Sequence, residues 1–497
     1  MKEKELKVLI VSPEVVPFAK TGGLADVAGA LPEALASLGH QVKVILPKYK
    51  MVDEKKFNLK EIPLSLPEIP MGEKKIKIRL KSSHQKDPPV EYLFLVNDYY
   101  FEREELYQDP NTGFDYKDND QRFILFTRGT LESLKSLGWQ PDIIHCNDWQ
   151  SALIPAYLKT VYAGDSFFKN TFTVFSIHNI AYQGNFPKET FKKIGVKEDL
   201  FYPTSPFEYW GNCNFLKIGI SYADVLNTVS EKYMMEIQSS NEFGYGMEGI
   251  LRTRSSDLYG VLNGIDYQIW NPEIDKLIPF NYTPDDLSGK RKNKEQLLKL
   301  SKLPLTKKDI PLIGMISRLA DQKGFDLLAQ IKDKLMKLGL KLVILGTGEK
   351  KYHDLLSELE KKYPRKLKIN LTFDNQLAHL IEAGADMFLM PSRYEPCGLN
   401  QLYSLKYGTV PIVRETGGLA DTIQDYDPKA EEGTGFVFKD YDSDELLKVI
   451  KRAISVYQDK KEWKKLMLSG MNKDFSWESS AKKYVQLYKK AQEKLNP

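Results

Sequence analysis

The sequence predicts an α/β fold made of two doubly wound domains facing each other across a deep cleft. Three observations carry this. At 497 residues the chain is too long for one ordinary hydrophobic core. Short apolar runs alternate with stretches of helical periodicity, as in parallel sheets covered by helices. Residues 21–27 read TGGLADV and residues 416–422 read TGGLADT, each after an apolar run, so two related domains would use equivalent strand-to-helix turns. No shorter period is present, which argues against a solenoid.

In the first half, strands are expected over 6–11, 42–46, 91–96, 171–177 and 225–229, each apolar enough for a sheet buried on both faces. A first helix is expected over 24–38, and Pro32 predicts a kink or a break in it. A second series begins near residue 311, with strands over 311–316, 341–345, 387–390 and 410–413 and helices over 325–338, 352–362 and 400–407. Between the series, residues 271–308 carry Pro272, Pro279, Pro284 and Pro304 and the basic run KRKNK at 290–294. That stretch reads as interdomain, with its lysines on a solvated helix face. Domains are therefore expected over 1–270 and 271–475, with a final helix over 476–497. A cleft lined by the carboxyl ends of the strands is where a ligand belongs.

Composition narrows the function. The 71 basic and 67 acidic residues nearly cancel, for a net charge of +4, so no nucleic-acid partner is expected. Three cysteines without CxxC spacing exclude a disulfide framework and a structural zinc site. The N-terminus lacks a signal-peptide core and no run of eighteen apolar residues occurs, so a cytoplasmic protein without membrane association is expected.

The chemistry-bearing segments sit at expected strand ends. Lys20, Gly22 and Gly23 follow the first strand, where glycines let backbone N–H groups approach an anion and the lysine adds a point charge. The same turn also serves as an ordinary loop, and neither GxxxxGK[ST] nor GxGxxG is present. Gly346 opens another close-approach turn. Arg318 and Lys323 follow the strand over 311–316 as a candidate diphosphate clamp, or as two surface charges. Residues 391–399, PSRYEPCGL, place Glu395 in a loop before a helix, where a carboxylate meets sugar hydroxyls and free N–H groups near Gly398 meet phosphate. His145 and His178 each follow a strand, at positions facing the expected cleft. Four DxD triplets, at 118–120, 425–427, 440–442 and 442–444, read as chance in a chain with 67 acidic residues. No metal site is expected.

KTGGLADV, HCNDW, IHN-AYQG, LNGID at 262–266, SRL-DQKG, LGTG, PSRYEPCGL and TGGLADT occur in the order found in bacterial glycogen synthases and plant starch synthases. The chain resembles this family from about Val8 to Trp477. The resemblance implies two Rossmann-like domains in the GT-B arrangement, with the last helix returning to the first domain. It implies transfer of glucose from ADP-glucose to an α-1,4-glucan with retention, and no cofactor or metal. Its catalytic residues would be Lys20, Asp26, Asp148, His178, Asn263, Arg318, Lys323 and Glu395. Lys20 and the Gly22-Gly23 turn would lie at the donor diphosphate, with Asp26 supporting that loop. Arg318 and Lys323 would neutralise the diphosphate, and Gly346 would lie beside it. Glu395, Cys397, Gly398, Leu399 and Asn400 would follow the donor's hydroxyls and phosphate. Thr416, Gly417 and Gly418 would close the phosphate site, and Phe373 would stack on adenine. Asp148, His178, Asn263 and Tyr107 would meet the glucosyl unit and the acceptor.

Two positions depart from the family pattern. Asn400 replaces a threonine, and Tyr403 stands where related retaining transferases carry a second glutamate. The absence of a strong nucleophile favours front-face displacement, in which the leaving diphosphate takes the acceptor's proton. A UDP-glucose transferase, a pyridoxal-phosphate-dependent phosphorylase and a non-catalytic glucan-binding scaffold are the competing readings.

Overall fold

The computed structural model describes residues 4–494, which divide into two compact units. Of the described residues, the first unit comprises 4–229, 234–264 and 477–494, and the second comprises 230–233 and 265–476.

The first unit is built on a nine-stranded sheet: β1 (Lys7–Val11), β2 (Gln41–Pro47), β3 (Lys60–Glu61), β4 (Arg79–Lys86), β5 (Pro89–Val96), β6 (Ile143–Asn147), β7 (Phe172–Ile177), β8 (Val225–Thr228) and β9 (Leu258–Gly260). Their spatial order is β9-β8-β7-β6-β1-β2-β5-β4-β3. The strands from β9 to β5 are parallel, and β4 and β3 add an antiparallel edge. The interior strands β6 and β7 are buried at every residue, which is why they read as unbroken apolar runs. The antiparallel edge escapes such a reading because RLKSSHQK alternates and is largely polar.

Of the kink or break expected at Pro32, the break does not occur: the helix Gly23–Ser37 is continuous through it. It packs on β2 and on the C-terminal helix, with Pro32 itself buried, and that packing outweighs one missing hydrogen bond. The helix Trp477–Glu493 belongs to this first unit. Tyr488 places its hydroxyl 2.9 Å from His145 Nδ1, and Ser480 donates to the Leu262 carbonyl.

The second unit holds a six-stranded, wholly parallel sheet: β10 (Leu312–Ile316), β11 (Lys341–Leu345), β12 (Leu367–Asn370), β13 (Met387–Met390), β14 (Val410–Arg414) and β15 (Phe436–Phe438). Its order is β12-β11-β10-β13-β14-β15. One face packs on the helices Phe325–Lys337 and Ser443–Tyr457 through Phe325, Ile331, Leu446 and Ile450.

Residues 271–308 are not a linker; they belong to the body of the second unit. The helix Ser288–Leu300 packs on the helix Asn375–Gly384. Lys290, expected on a solvated face, is buried. Its ammonium donates to Thr409 at 2.6 Å and to the carbonyls of Glu382 and Ala383, at the C-terminal end of the neighbouring helix. The helix dipole and these carbonyls receive the ammonium, while burial pushes its pKa down to about 7, so tertiary context and not local pattern draws the lysine inward. No helix among the described residues is long and apolar enough to cross a membrane.

Candidate active site

Each sheet has one point where the strand order reverses, between β1 and β6 in the first unit and between β10 and β13 in the second. Loops leaving the carboxyl ends of strands at such a point diverge and leave a crevice. Lys20 and Asp148 follow the two strands at the first point, and Arg318, Lys323 and Glu395 follow the two strands at the second.

In the first unit the loop after β1 carries Lys20 and the turn at 21–23. Lys20 is half exposed, and its ammonium lies 2.7 Å from Asp26. The turn is organised by a residue that sequence reasoning missed. Glu14 is buried, and its Oε2 accepts from the N–H groups of Thr21 at 2.5 Å and Gly22 at 3.0 Å. Its Oε1 accepts from the hydroxyls of Thr21 at 2.6 Å and Tyr107 at 2.8 Å. Tyr107, expected near sugar, thus directs its hydroxyl to this carboxylate. No local pattern identifies Glu14, because Tyr107 lies 93 residues away. Burial raises the Asp26 carboxyl, with Lys20 opposing.

His145, Cys146 and Asn147 lie within β6 and not after it, so Asp148 is the first residue beyond the strand. Asp148 adopts φ +53°, a strained conformation for a residue with a side chain. The strain turns its carboxylate toward the end of β7, where the His178 N–H donates to it at 2.7 Å. Burial pushes Asp148 up to about 7, partly offset by that N–H. Burial also pushes His145 and His178 down to about 3, so both rings are neutral at neutral pH.

Hydrogen bonds assign the His178 tautomer. Asn147 donates through Nδ2 to the Val11 carbonyl, which leaves its Oδ1 facing His178 Nε2 at 2.8 Å. An amide oxygen only accepts, so Nε2 carries the proton and Nδ1 the lone pair. His145 is structural: its nitrogens meet Ser176 and Tyr488 in the interior. Asn263 follows β9 and is buried, with an Oδ1 that has no protein partner. A buried amide oxygen without a partner is costly unless a ligand or water completes it.

In the second unit a cavity of about 210 Å³ opens at the switch point. Arg318, Lys323, Ser392, Glu395 and residues 398–400 line it. Lys323 donates to Glu395 at 2.6 Å, and the same carboxylate oxygen accepts from Ser392 at 3.0 Å. Glu395 is buried and Arg318 is exposed at the cavity wall. The Asn400 amide donates to the Ile316 carbonyl at 2.8 Å, tying the start of the helix Asn400–Lys406 to the end of β10. Gly346 is pressed against the Ser317 carbonyl, where a Cβ would fall within 1.9 Å.

Thr416, Gly417 and Gly418 lie beneath this loop. The Gly418 N–H donates to the Glu395 and Pro396 carbonyls at 3.1 Å each. Cβ atoms at Gly417 and Gly418 would fall 2.0 Å from the carbonyls of Glu395 and Cys397. Ser230 and Lys232, which belong to this unit, buttress the same place. Ser230 donates to the Pro396 carbonyl at 2.6 Å, and the Lys232 N–H donates to Asp421. Phe373 is outside the cavity lining and 84% exposed, on the loop between β12 and the helix Asn375–Gly384.

The DxD carboxylates at 118, 120, 425 and 442 have protein partners. Asp118 pairs with Arg103, Asp120 with Lys193 and Thr190, and Asp425 with Arg452, while Asp442 caps the helix Ser443–Tyr457. Among the described residues, no group of three or more His, Cys, Asp and Glu side chains is arranged to hold a metal ion.

Comparison with known proteins gives these sites a context. Residues 7–253 match the family model "Starch synthase catalytic domain", and residues 299–466 match "Glycosyl transferases group 1". With two doubly wound α/β domains, these matches define a glycosyltransferase of GT-B-like fold. The chain is 47% identical over 492 residues to the glycogen synthase of Koribacter versatilis, covering 99% of both chains. It is 46% identical over 495 residues to that of Thermotoga maritima, covering 99% of this chain and all of the relative. Among solved structures it resembles the catalytic domain of Starch Synthase IV from Arabidopsis thaliana bound to ADP and acarbose. That likeness has a TM-score of 0.89 and 32% identity, covering 98% of this chain and 100% of the other. The chain belongs to the glycogen synthase and starch synthase family, retaining glycosyltransferases that extend glucans.

Proposed function

We propose that this enzyme transfers glucose from ADP-glucose to the 4-hydroxyl at the non-reducing end of an α-1,4-glucan. The observation that carries the reading is the cavity at the β10–β13 switch point, with two cations and a buried carboxylate around one ligand-sized space. Arg318 and Lys323 would hold the donor diphosphate, and Lys20 in the first domain would add a third cation. These three charges would balance the leaving group in a metal-independent reaction. Glu395, held by Lys323 and Ser392, would accept hydrogen bonds from the glucosyl hydroxyls. The exposed ring of Phe373 offers adenine a stacking surface. ADP and acarbose in the Arabidopsis relative support this choice of ligands.

The reaction proceeds with retention. The acceptor O4 attacks C1 from the face that ADP leaves; the C1–O bond to the diphosphate breaks as the new glycosidic bond forms. The acceptor's proton passes to the departing β-phosphate oxygen. Asp148 and a neutral His178, whose proton sits on Nε2, would orient the glucosyl unit and acceptor, with Asn263 Oδ1 receiving a hydroxyl. A neutral imidazole cannot act as a strong acid, which suits a reaction whose proton goes to the leaving group.

The test is incubation of the purified protein with glycogen and radiolabelled ADP-glucose or UDP-glucose, without added metal, followed by counting of precipitated polymer. Label from ADP-glucose alone is the expected result. Label mainly from UDP-glucose would keep the mechanism and overturn the donor, and no label from either would favour a glucan-binding scaffold.

A further inference from the structure

Tyr403, which stands where related retaining transferases carry a second glutamate, is not part of the cavity lining. Its ring lies parallel to the indole of Trp270, with centroids 3.9 Å apart and planes 8° apart. His379 lies on the same indole at 3.7 Å and 12°. Two rings this close and this parallel would overlap on one face, so the indole is sandwiched between them. Aromatic pairs left to themselves prefer offset or edge-on arrangements with centroids about 4.5–7 Å apart. Here the indole is in van der Waals contact on both faces, and the flanking rings cannot approach further.

The flanking rings belong to two helices that bear on the donor site. His379 is buried in the helix Asn375–Gly384, which begins just after Phe373 and is capped by Asp374, whose carboxylate accepts from the Leu377 N–H at 2.9 Å. Tyr403 lies in the helix Asn400–Lys406, and Gly398, Leu399 and Asn400 at its start line the cavity. The two helices also meet directly, where Ser404 donates to Glu382 at 2.7 Å.

The segment that carries Trp270 holds both helices a second time. One oxygen of Asp275 lies 2.8 Å from His379 Nδ1 and accepts from the Tyr407 hydroxyl at 2.6 Å. Tyr407 stands one turn beyond Tyr403, so both tyrosines present to the same side. Burial tends to raise the Asp275 carboxyl, but the bonds from His379 and Tyr407 hold it below its ordinary value. A carboxylate only accepts, so Nδ1 carries the proton and the imidazole is fixed with its face on the indole. Trp270 and Asp275 are joined by a tight turn, in which the Asp275 N–H donates to the Asn271 carbonyl at 2.9 Å. The carboxylate ties the two helices together while the indole holds them apart.

We propose that Trp270 is a positioning residue for the donor nucleotide: its indole sets the separation between the helix that follows Phe373 and the helix that begins at the cavity. The spacing of the adenine and diphosphate subsites is thereby matched to one nucleotide. The proposal rests on the donor reading above. Trp270 is not among the cavity-lining residues and acts through its two neighbours. A ring that merely filled the core would affect stability, or all ligands alike. A spacer affects the ligands that span both subsites.

The test compares ADP, which spans both subsites, with pyrophosphate, which meets only the cations. Dissociation constants for both are measured by titration calorimetry in wild type, Trp270→Ala, Trp270→Phe and Tyr403→Leu, alongside steady-state kinetics. In Trp270→Ala, ADP affinity should fall about tenfold, as expected for loss of stacking on two faces. Its pyrophosphate affinity should stay within about twofold of wild type, the ADP-glucose KM should rise with the ADP constant, and the glycogen KM should not change. Trp270→Phe keeps a flat ring between the same neighbours and should bring ADP affinity back to within about threefold of wild type. Tyr403→Leu frees one face only and should cost about threefold, again for ADP alone; with Trp270→Phe it decides the matter should Trp270→Ala not fold. Unchanged ADP affinity in Trp270→Ala and Tyr403→Leu would overturn the spacer. So would parallel losses of ADP and pyrophosphate, or a phenylalanine variant no better than the alanine one. Wild type that binds UDP and not ADP would refute the donor reading alone, and the same ratio taken with UDP would then decide the spacer. Wild type that binds neither nucleotide would overturn both.

Discussion

The two TGGLAD segments share six letters and differ in what those letters touch. At 21–26 the turn is open. No atom lies within 4 Å of a Cβ built at Gly22, and the N–H groups of Thr21 and Gly22 are held by the buried carboxylate of Glu14. A helix of 15 residues follows. At 416–421 the turn is closed. Gly417 and Gly418 are wedged against the backbone of the loop bearing Glu395, and a helix of only 6 residues follows. The two acidic residues diverge as well: Asp26 pairs with the Lys20 ammonium, while Asp421 accepts the Lys232 N–H. The same peptide thus leaves space beside its backbone in one domain and, in the other, supports the loop on which a proposed donor ligand stands.

Substitutions can break or sharpen this contrast. The largest effect is expected from Lys323→Ala, which removes the cation that Glu395, on the loop over the closed turn, holds in place. Turnover should fall on the order of 10²–10³-fold in steady-state kinetics, as for loss of a preorganised electrostatic contact. A near-normal rate would separate the 395–399 loop from the donor site.

Gly417→Ala comes next. The added methyl meets the Glu395 carbonyl and φ is +43°, so about 2–4 kcal/mol of stability should be lost, with reduced kcat, by chemical denaturation and assay. An undiminished midpoint would show that the closed turn has room after all.

Asp148→Asn tests the open side through pH. The folded Asp148 titrates near 7, against an ordinary value of 3.8, so between these values the folded protein holds a proton that the unfolded chain has lost. Wild-type stability from this group therefore falls as pH rises from 4 to 7. The asparagine variant should be more stable than wild type at pH 8, by a gain on the order of a few kcal/mol, and equal to it near pH 3.5. Thermal melts across pH decide, and a gain independent of pH would refute the raised carboxyl.

Glu14→Gln should cost about 1–3 kcal/mol, because one amide cannot accept all four donors that the carboxylate satisfies. The smallest stability effect belongs to Gly22→Ala, which should leave Tm within about 2 °C of wild type. Its effect should be on the ADP-glucose KM, if the space beside the turn receives the donor. A large loss of stability in Gly22→Ala would erase the contrast between the two copies.

Much of the architecture was legible because parallel strands buried on both faces must be apolar throughout. The expected strands at 341–345 and 387–390 fall on β11 and β13. The polar edge strand β4 and the short β15 lacked that signal. Pro32 shows the limit of local rules, since a helix already packed on two neighbours tolerates a residue that would break it alone. Lys290 shows the same limit for charge, because its partners lie 92 to 119 residues away.

By itself, then, the sequence determined the class of fold, the paired turns and the family to which the chain belongs, because periodicity and ordered motifs are properties of neighbouring residues. The tertiary structure alone decided which groups meet. Lys323 reaches Glu395 across 72 residues, Glu14 collects Thr21, Gly22 and Tyr107, and the C-terminal helix closes against His145. Such meetings depend on strand order, and strand order is set by how whole sheets bury their faces, which no local stretch of sequence encodes.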